Sequence, residues 1–501
     1  MPRSPPFSCS RVADDGTGAY SKAAPTLGLC DGANAAISPT VCKENGYDKM
    51  STALDRALAA ALARAPANVQ PLLKRDQSFF GELVAVAGEE MPQSQNDEDR
   101  KRFSEILSQR LAALAQITDG FGRSGVLGKW EDVLGRVTVT PADGGAYRLA
   151  IDINAVYGPA DSEERQWRCQ ASALLKPDAG GWLKGTILPE EAPAGAKPPV
   201  DADGRPIPLA SIKIRRQGET LRVVVDNPDW PNWDDQRNPH CSNVHPVTGS
   251  YFASGELDTA LVPDKADTSF VAPTFDCTRP LTASDEEICA DPDLAENDVR
   301  LNRAWKALMG RLDETTRRAL ADDQRHWVKT QAAEYTEFLH PDWEKRTYQM
   351  HYTTLARLEL FGLQRERIAL LEGFDEEQQG FAGVWLSYNA NLKVEPAKDG
   401  GFTAKGWKWE QGSWKDGCEF EMDGDVVNRV FHSGDGKNPD TLERDGALLI
   451  VNKMDDVFAK KRANQDAKDE PKCKRSLHDS STVRLFPAKA SPDINNYDRI
   501  R

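Results

Sequence analysis

The chain reads as an α+β protein, a tandem duplication of a small three-helix domain followed by a small antiparallel β barrel or sandwich. Three observations predict this. A shift of 247 positions lays one helix-forming stretch over another without a gap, strand-forming stretches recur later at a similar offset, and eight of the nine cysteines fall into counterpart positions. A length of 501 residues also exceeds what one hydrophobic core usually supports.

The helical units come first in each repeat. "CKENGYDKMSTALDRALAAAL" from Cys42 lies over "CADPDLAENDVRLNRAWKALM" from Cys289, matching Leu54 with Leu301, Arg56 with Arg303 and Ala57 with Ala304. The same shift carries Leu73 onto Leu320, Gln77 onto Gln324 and Phe80 onto Trp327. Leu294, Leu301, Trp305, Leu308 and Leu312 recur at helical spacing, as do Leu54, Leu58 and Leu62. "LADDQRHWVKTQ" and "YTTLARLELFGLQRERIALL" supply two more helices, and three antiparallel helices cover one another's apolar stripes.

The strand units follow. "GKWEDVLGRVTVTPADGGAY" from Gly128 answers "GVWLSYNANLKVEPAKDGGF" from Gly383, pairing Trp130 with Trp385, Val139 with Val394 and Pro141 with Pro396. "RVTVTP", "YRLAIDI", "IKIRR", "TLRVVVD" and "GALLIVN" are short, rich in β-branched residues and bounded by Gly, Asp and Pro, as strands are. Trp130 and Trp385 are expected to plug barrel floors. The segment from Leu188 to Pro208, dense in Pro and Gly, is expected to be a loop, and "LVPDKADTS" from Leu261 to join the repeats. The expected boundaries are 1–120, 125–256, 270–373 and 378–488, with a tail at 489–501.

"PFSCSR" around Cys9 echoes "TFDCTR" around Cys277, Cys42 matches Cys289, and Cys169 and Cys241 parallel Cys418 and Cys473, which leaves Cys30 without a counterpart. One disulfide per unit is therefore expected: Cys277 with Cys289, Cys169 with Cys241, Cys418 with Cys473, and Cys42 with Cys9 or Cys30. Each closure stabilises by about 2–4 kcal/mol. Structural disulfides persist in oxidising surroundings, which points to the periplasm or cell surface. His245 follows Cys241 and His478 follows Cys473, but zinc needs about four regularly spaced ligands and no CxxC or HxxxH accompanies them, so no metal is expected.

Sixty-three basic against seventy-eight acidic side chains give a net charge of -15, which argues against nucleic acid and favours neutral or basic partners. No apolar run approaches the roughly 18–20 residues of a membrane span. "MPRSPPFSCSRVADD" lacks an apolar segment, so no leader is read there. There is no Gly-x-Ser-x-Gly elbow, phosphate-binding Gly-Lys-Ser/Thr loop, His-Glu-x-x-His or Gly-x-Gly-x-x-Gly. Acidic pairs such as Asp322 with Asp323, or Asp455 with Asp456, read as solvated faces. No catalytic residue, no cofactor and no enzyme activity are expected.

Phe275, Asp276 and Cys277, then "EEICADPDLAENDVRLNRAW", "DDQRHWV" and "RERIALL", resemble the N-terminal helical domain of the lysozyme-inhibitor LprI family. The resemblance covers residues 275–371, and the first repeat shows it more weakly through Cys42, Leu54, Asp55, Arg56 and Gln77. It implies an FDC…IC opening into a helix, a Gln-Arg-x-Trp motif at Gln324, Arg325 and Trp327 on the second helix, and Arg367 with Ile368 on the third. Gln324 and Trp327 share a helix face with Arg325 to the side, and packing is the expected role of this motif. Many family members carry two more cysteines after it, whereas Val328 to Leu363 has none, so packing by Tyr335, Phe338, Trp343 and Tyr348 is expected instead. The "GKW" and "GVW" tripeptides look like the Gly-x-Trp start of lipocalin-like barrels. Together the resemblances imply an exported, non-enzymatic binding protein of the cell envelope, an inhibitor whose partner is a basic protein such as c-type lysozyme. The alternative is an envelope scaffold or small-ligand carrier using lipocalin-like β domains.

Overall fold

The computed structural model describes residues 26–30, 37–156, 166–189, 210–226, 247–255, 270–339, 353–398, 400–410, 413–433, 440–452 and 483–494. Cys9, Cys241, Cys473, His245, His478, Trp343, Tyr348, Asp455, Asp456, the linker at 261–269 and all but the first two residues of the Pro-rich segment lie outside them. The side chains of Tyr335, Phe338 and Cys418 also lie outside the description.

The protein is mixed α+β, and its β units are closed barrels, which decides between the expected barrel and sandwich. In each half a short helix precedes three long ones, where three in all were expected. The first half has α1 (Pro39–Asn45), α2 (Tyr47–Arg64), α3 (Gln70–Glu90) and α4 (Asp97–Gly120). The second has α5 (Ala283–Ala290), α6 (Pro292–Met309), α7 (Glu314–Leu339) and α8 (Thr353–Glu372). Capping chemistry makes the extra helix. Ser38 accepts from the Val41 N–H ahead of α1, and Gly46 ends it in the left-handed region at φ 73°. Thr282 and Asp285 form a reciprocal capping box at α5, and Asp291 caps α6 through the Asp293 and Leu294 N–H groups.

The first barrel runs β1 (Gly128–Glu131), β2 (Gly135–Ala142), β3 (Ala146–Val156), β4 (Gln166–Pro177), β5 (Leu183–Pro189), β6 (Ser211–Gln217), β7 (Thr220–Asp226) and β8 (Gly249–Ala253). The second runs β9 (Gly383–Leu386), β10 (Ala390–Pro396), β11 (Phe402–Glu410), β12 (Ser413–Val427), β13 (Val430–Ser433), β14 (Asp440–Asp445), β15 (Leu448–Asn452) and β16 (Val483–Ala488). Sequential strands pair antiparallel, and β8 on β1 and β16 on β9 close the two rings, so neither leaves an unpaired edge. Alternate residues such as Leu149, Ile151 and Ile153, or Leu449 and Val451, are buried, as the two-residue period of a strand requires.

Both Gly-x-Trp tripeptides are dictated by geometry. Gly128 has φ 106° and Gly383 φ 138°, where a side chain is strained. Trp130 and Trp385 are fully buried, their indole N–H groups donating to the Val126 oxygen at 2.9 Å and the Phe381 oxygen at 2.8 Å. Arg216 lies 5.4 Å from the Trp130 ring and Arg444 4.7 Å from that of Trp385. Each helical unit then leans on its own barrel. Gly120 ends α4 so close to β8 that a Cβ would fall 1.9 Å from the Ala253 oxygen. After α8, the Gly373 oxygen accepts from the Lys489 N–H at 2.8 Å, and Ile494 in the following segment is buried.

Candidate functional site

The Gln-Arg-x-Trp residues build a joint between helices and barrel. In the second half, buried Arg367 donates through Nη1 to Asp323 Oδ2 and through Nε to Gln324 Oε1, both at 2.6 Å. The other Asp323 oxygen accepts from the Tyr388 N–H of the β9–β10 turn at 2.9 Å. Arg367 also lies 5.9 Å from the ring of Trp327, which is buried. One carboxylate therefore ties α7, α8 and the barrel together. Arg325 points away and pairs with Asp322 on the surface, where such a pair contributes little.

The first half repeats the joint. Arg110 donates to Asp76 Oδ2 at 2.6 Å and to Gln77 Oε1 at 3.0 Å, Asp76 Oδ1 accepts from the Val133 N–H of the β1–β2 turn at 3.0 Å, and Arg110 lies 5.4 Å from the Phe80 ring. Removing one partner of such a buried pair costs about 3–5 kcal/mol, because the other charge stays buried. Asp323, which belongs to an acidic pair expected to be solvated, is in fact 7% exposed, while its neighbour Asp322 faces solvent. Burial made the difference. A signal did exist, since Asp76 and Asp323 share the 247-residue shift with Gln77 and Gln324.

The cysteines bracket the short helices. Cys277 bonds to Cys289, and Cys42 bonds to Cys30, each across twelve positions. This corrects one expectation and decides between the two partners expected for Cys42. Cys30 does have a counterpart, standing the same 247 positions ahead of Cys277 that Cys42 stands ahead of Cys289, and Cys9 is not the partner of Cys42. Taking Cys9 as the counterpart of Cys277 hid this register. Cys169 is buried and disulfide-bonded to a cysteine whose side chain is not among those described. Phe275 packs beside Ile288, Leu294 and Leu360. Asp276 is exposed and holds a turn by accepting from the Thr278 N–H and hydroxyl, hydrogen bonds that lower its pKa.

The second disulfide corner carries the densest charge cluster described. Glu287 on α5 meets Arg75 of α3 at 3.1 Å and Arg222 of β7 at 2.6 Å. Asp291 receives Arg222 at 3.0 Å and also Arg357 of α8. Asp293 pairs with Arg357 and Lys213 and accepts from the Trp182 indole at 2.8 Å, while Arg215 meets Glu296 at 2.9 Å. The Gln217 amide donates to the Val271 and Cys289 oxygens. Lys213, Arg215 and Arg222 of the first barrel thus meet Glu287, Asp291, Asp293 and Glu296 and clamp the second helical unit to that barrel, while Arg75 ties it to α3. Burial would raise the Asp291 carboxyl, yet Arg357 and Arg222 hold it far below the ordinary range. Burial instead wins at Asp285 and Glu286, pushed up to about 7 and about 8, so near neutral pH Glu286 is mostly protonated and Asp285 only in part. Among the described residues no His/Cys/Asp/Glu group is arranged to hold a metal, and no helix is long and apolar enough to cross a membrane.

The helices that carry these contacts span α5 to α8. Residues 277–371 match the family model described as lysozyme inhibitor LprI. The LprI-like segment opens at the clamped disulfide and ends at Leu371, the close of the α8 joint, and leaves both barrels outside the match. No curated protein and no solved structure matches the chain.

Proposed function

We propose that the chain is an exported, non-enzymatic binding protein of the periplasm or cell surface that inhibits c-type lysozyme. The LprI match over α5–α8 carries this reading. Such an enzyme works with two carboxylates in a cleft, so an inhibitor need only occupy the cleft and exclude the sugar chain. A net charge of -15 favours encounter with a basic enzyme, more strongly at low salt. The two described disulfides suit an oxidising compartment. In this reading Gln324, Trp327 and Arg367 are positioning residues that hold the helical unit on its barrel. The matched joints at Asp76 and Asp323 support a duplication of the helical unit with its barrel. The test is lysis of cell walls by a c-type lysozyme with and without the purified protein. Slowed lysis at low salt, weakening as salt rises, is the expected result; unslowed lysis at micromolar excess would overturn the proposal.

A further inference from the structure

The clamp described above has a consequence for binding. The carboxylates at the head of the LprI-like segment are buried against Arg75, Arg222 and Arg357, so they are closed to an outside partner. An accessible surface must lie elsewhere.

Among the described residues the exposed large apolar side chains are Val86, Leu174, Leu281, Val426 and Val427, and the last two adjoin at the tip of the β12–β13 hairpin, 40% and 53% exposed. Val427 pairs with Val430 across a two-residue turn, while β11 stops pairing with β12 at Gly424, so the tip extends past that neighbour. The turn residues are Asn428 at φ 52° and Arg429 at φ 67°, and these are the non-glycine residues of positive φ among those described. Asparagine tolerates that region, whereas arginine is strained there. An exposed apolar tip on a backbone strained at Arg429 suits a surface kept for contact. Exposed Asp423, Asp425, Glu443 and Asp445 stand on the same hairpin and its neighbour and outnumber the turn's exposed cation, Arg429. That acidic rim repels anionic lipid and complements a basic protein.

We propose that the β12–β13 tip, centred on Val426 and Val427, enters an apolar recess on a basic protein partner while the carboxylates around it meet the partner's basic rim. This rests on the inhibitor reading and names the surface through which it acts. The full-length chain and its Val426→Ser/Val427→Ser variant are titrated with a c-type lysozyme at low salt, with Leu174→Ser, an exposed leucine on the other barrel, as control. Thermal unfolding confirms that each variant is folded, and hydrogen exchange of the unchanged protein is followed with and without lysozyme. A tenfold or greater loss of affinity in the valine variant, none in the control, and slowed exchange at Val427–Phe431 on binding are expected. If the unchanged protein binds but the valine variant binds equally well, or the tip gains no protection, the hairpin assignment fails alone. No binding by the unchanged protein overturns the function and the hairpin together.

Discussion

The two disulfide corners have the same construction and opposite surroundings. Cys30–Cys42 and Cys277–Cys289 each close across twelve positions around a short helix. Around the first, Pro39, Thr40, Lys43 and Glu44 are exposed, whereas Ser284 to Asp291 around the second are buried. Counterpart residues explain the contrast. Ser38, Pro39, Thr40, Glu44 and Gly46 stand where the second half has Asp285, Glu286, Glu287, Asp291 and Asp293. The barrels differ reciprocally: counted from their two-residue hairpins, Lys213, Arg215 and Arg222 of the first correspond to Thr441, Glu443 and Ile450 of the second. Among the described residues, the clamp forms at the corner where carboxylates and arginines are both present.

The largest expected effect breaks the clamp. Asp291→Ala removes a helix cap and leaves Arg222 and Arg357 buried without their shared carboxylate, at a cost of about 3–5 kcal/mol, while Glu44→Ala at the matching exposed position should stay within about 0.5 kcal/mol. Urea unfolding of both variants reads the difference, and equal effects would erase the contrast between the corners.

Next come the joints, where similarity rather than contrast is expected. Arg110→Ala and Arg367→Ala each strand a buried aspartate, and each should cost about 3 kcal/mol. A loss confined to one variant would show that matching geometry hides unequal roles.

The smallest effect is a pH dependence present in one corner. Glu286 is pushed from 4.5 to about 8 by burial, opposed by Arg75 and Lys74 and reinforced by Asp285 and Glu287. The folded state then keeps a proton that the unfolded chain releases. Its contribution is complete below the unfolded pKa and fades as pH rises through about 8, at up to about 1.4 kcal/mol per pH unit. Glu286→Gln should flatten this slope, so that its stability gains steadily on that of the unchanged protein as pH rises. Unfolding midpoints from pH 5 to pH 9 that run parallel for the two proteins would exclude it.

The periodicities of Leu54, Leu58 and Leu62, or of Val137 and Val139, were readable because helix and strand repeat apolar residues at different spacings. The Gly-x-Trp openings and the Gln77/Gln324 match were readable too, being local and repeated. The clamp was not. Arg75, Arg222 and Arg357 are scattered along the chain and resemble ordinary surface arginines until folding brings them to Glu287 and Asp291. The counterpart of Cys30 lay hidden for another reason: a six-letter echo at Cys9 masks a register that needs no gap.

Hydrogen exchange across the full chain, with and without Arg222→Ala, tests most directly whether the first barrel and the LprI-like segment hold one another in place. Protection should fall together in α5 and in β6–β7 while α1 keeps its own rates. Unchanged exchange in α5 after loss of Arg222 would contradict the clamp.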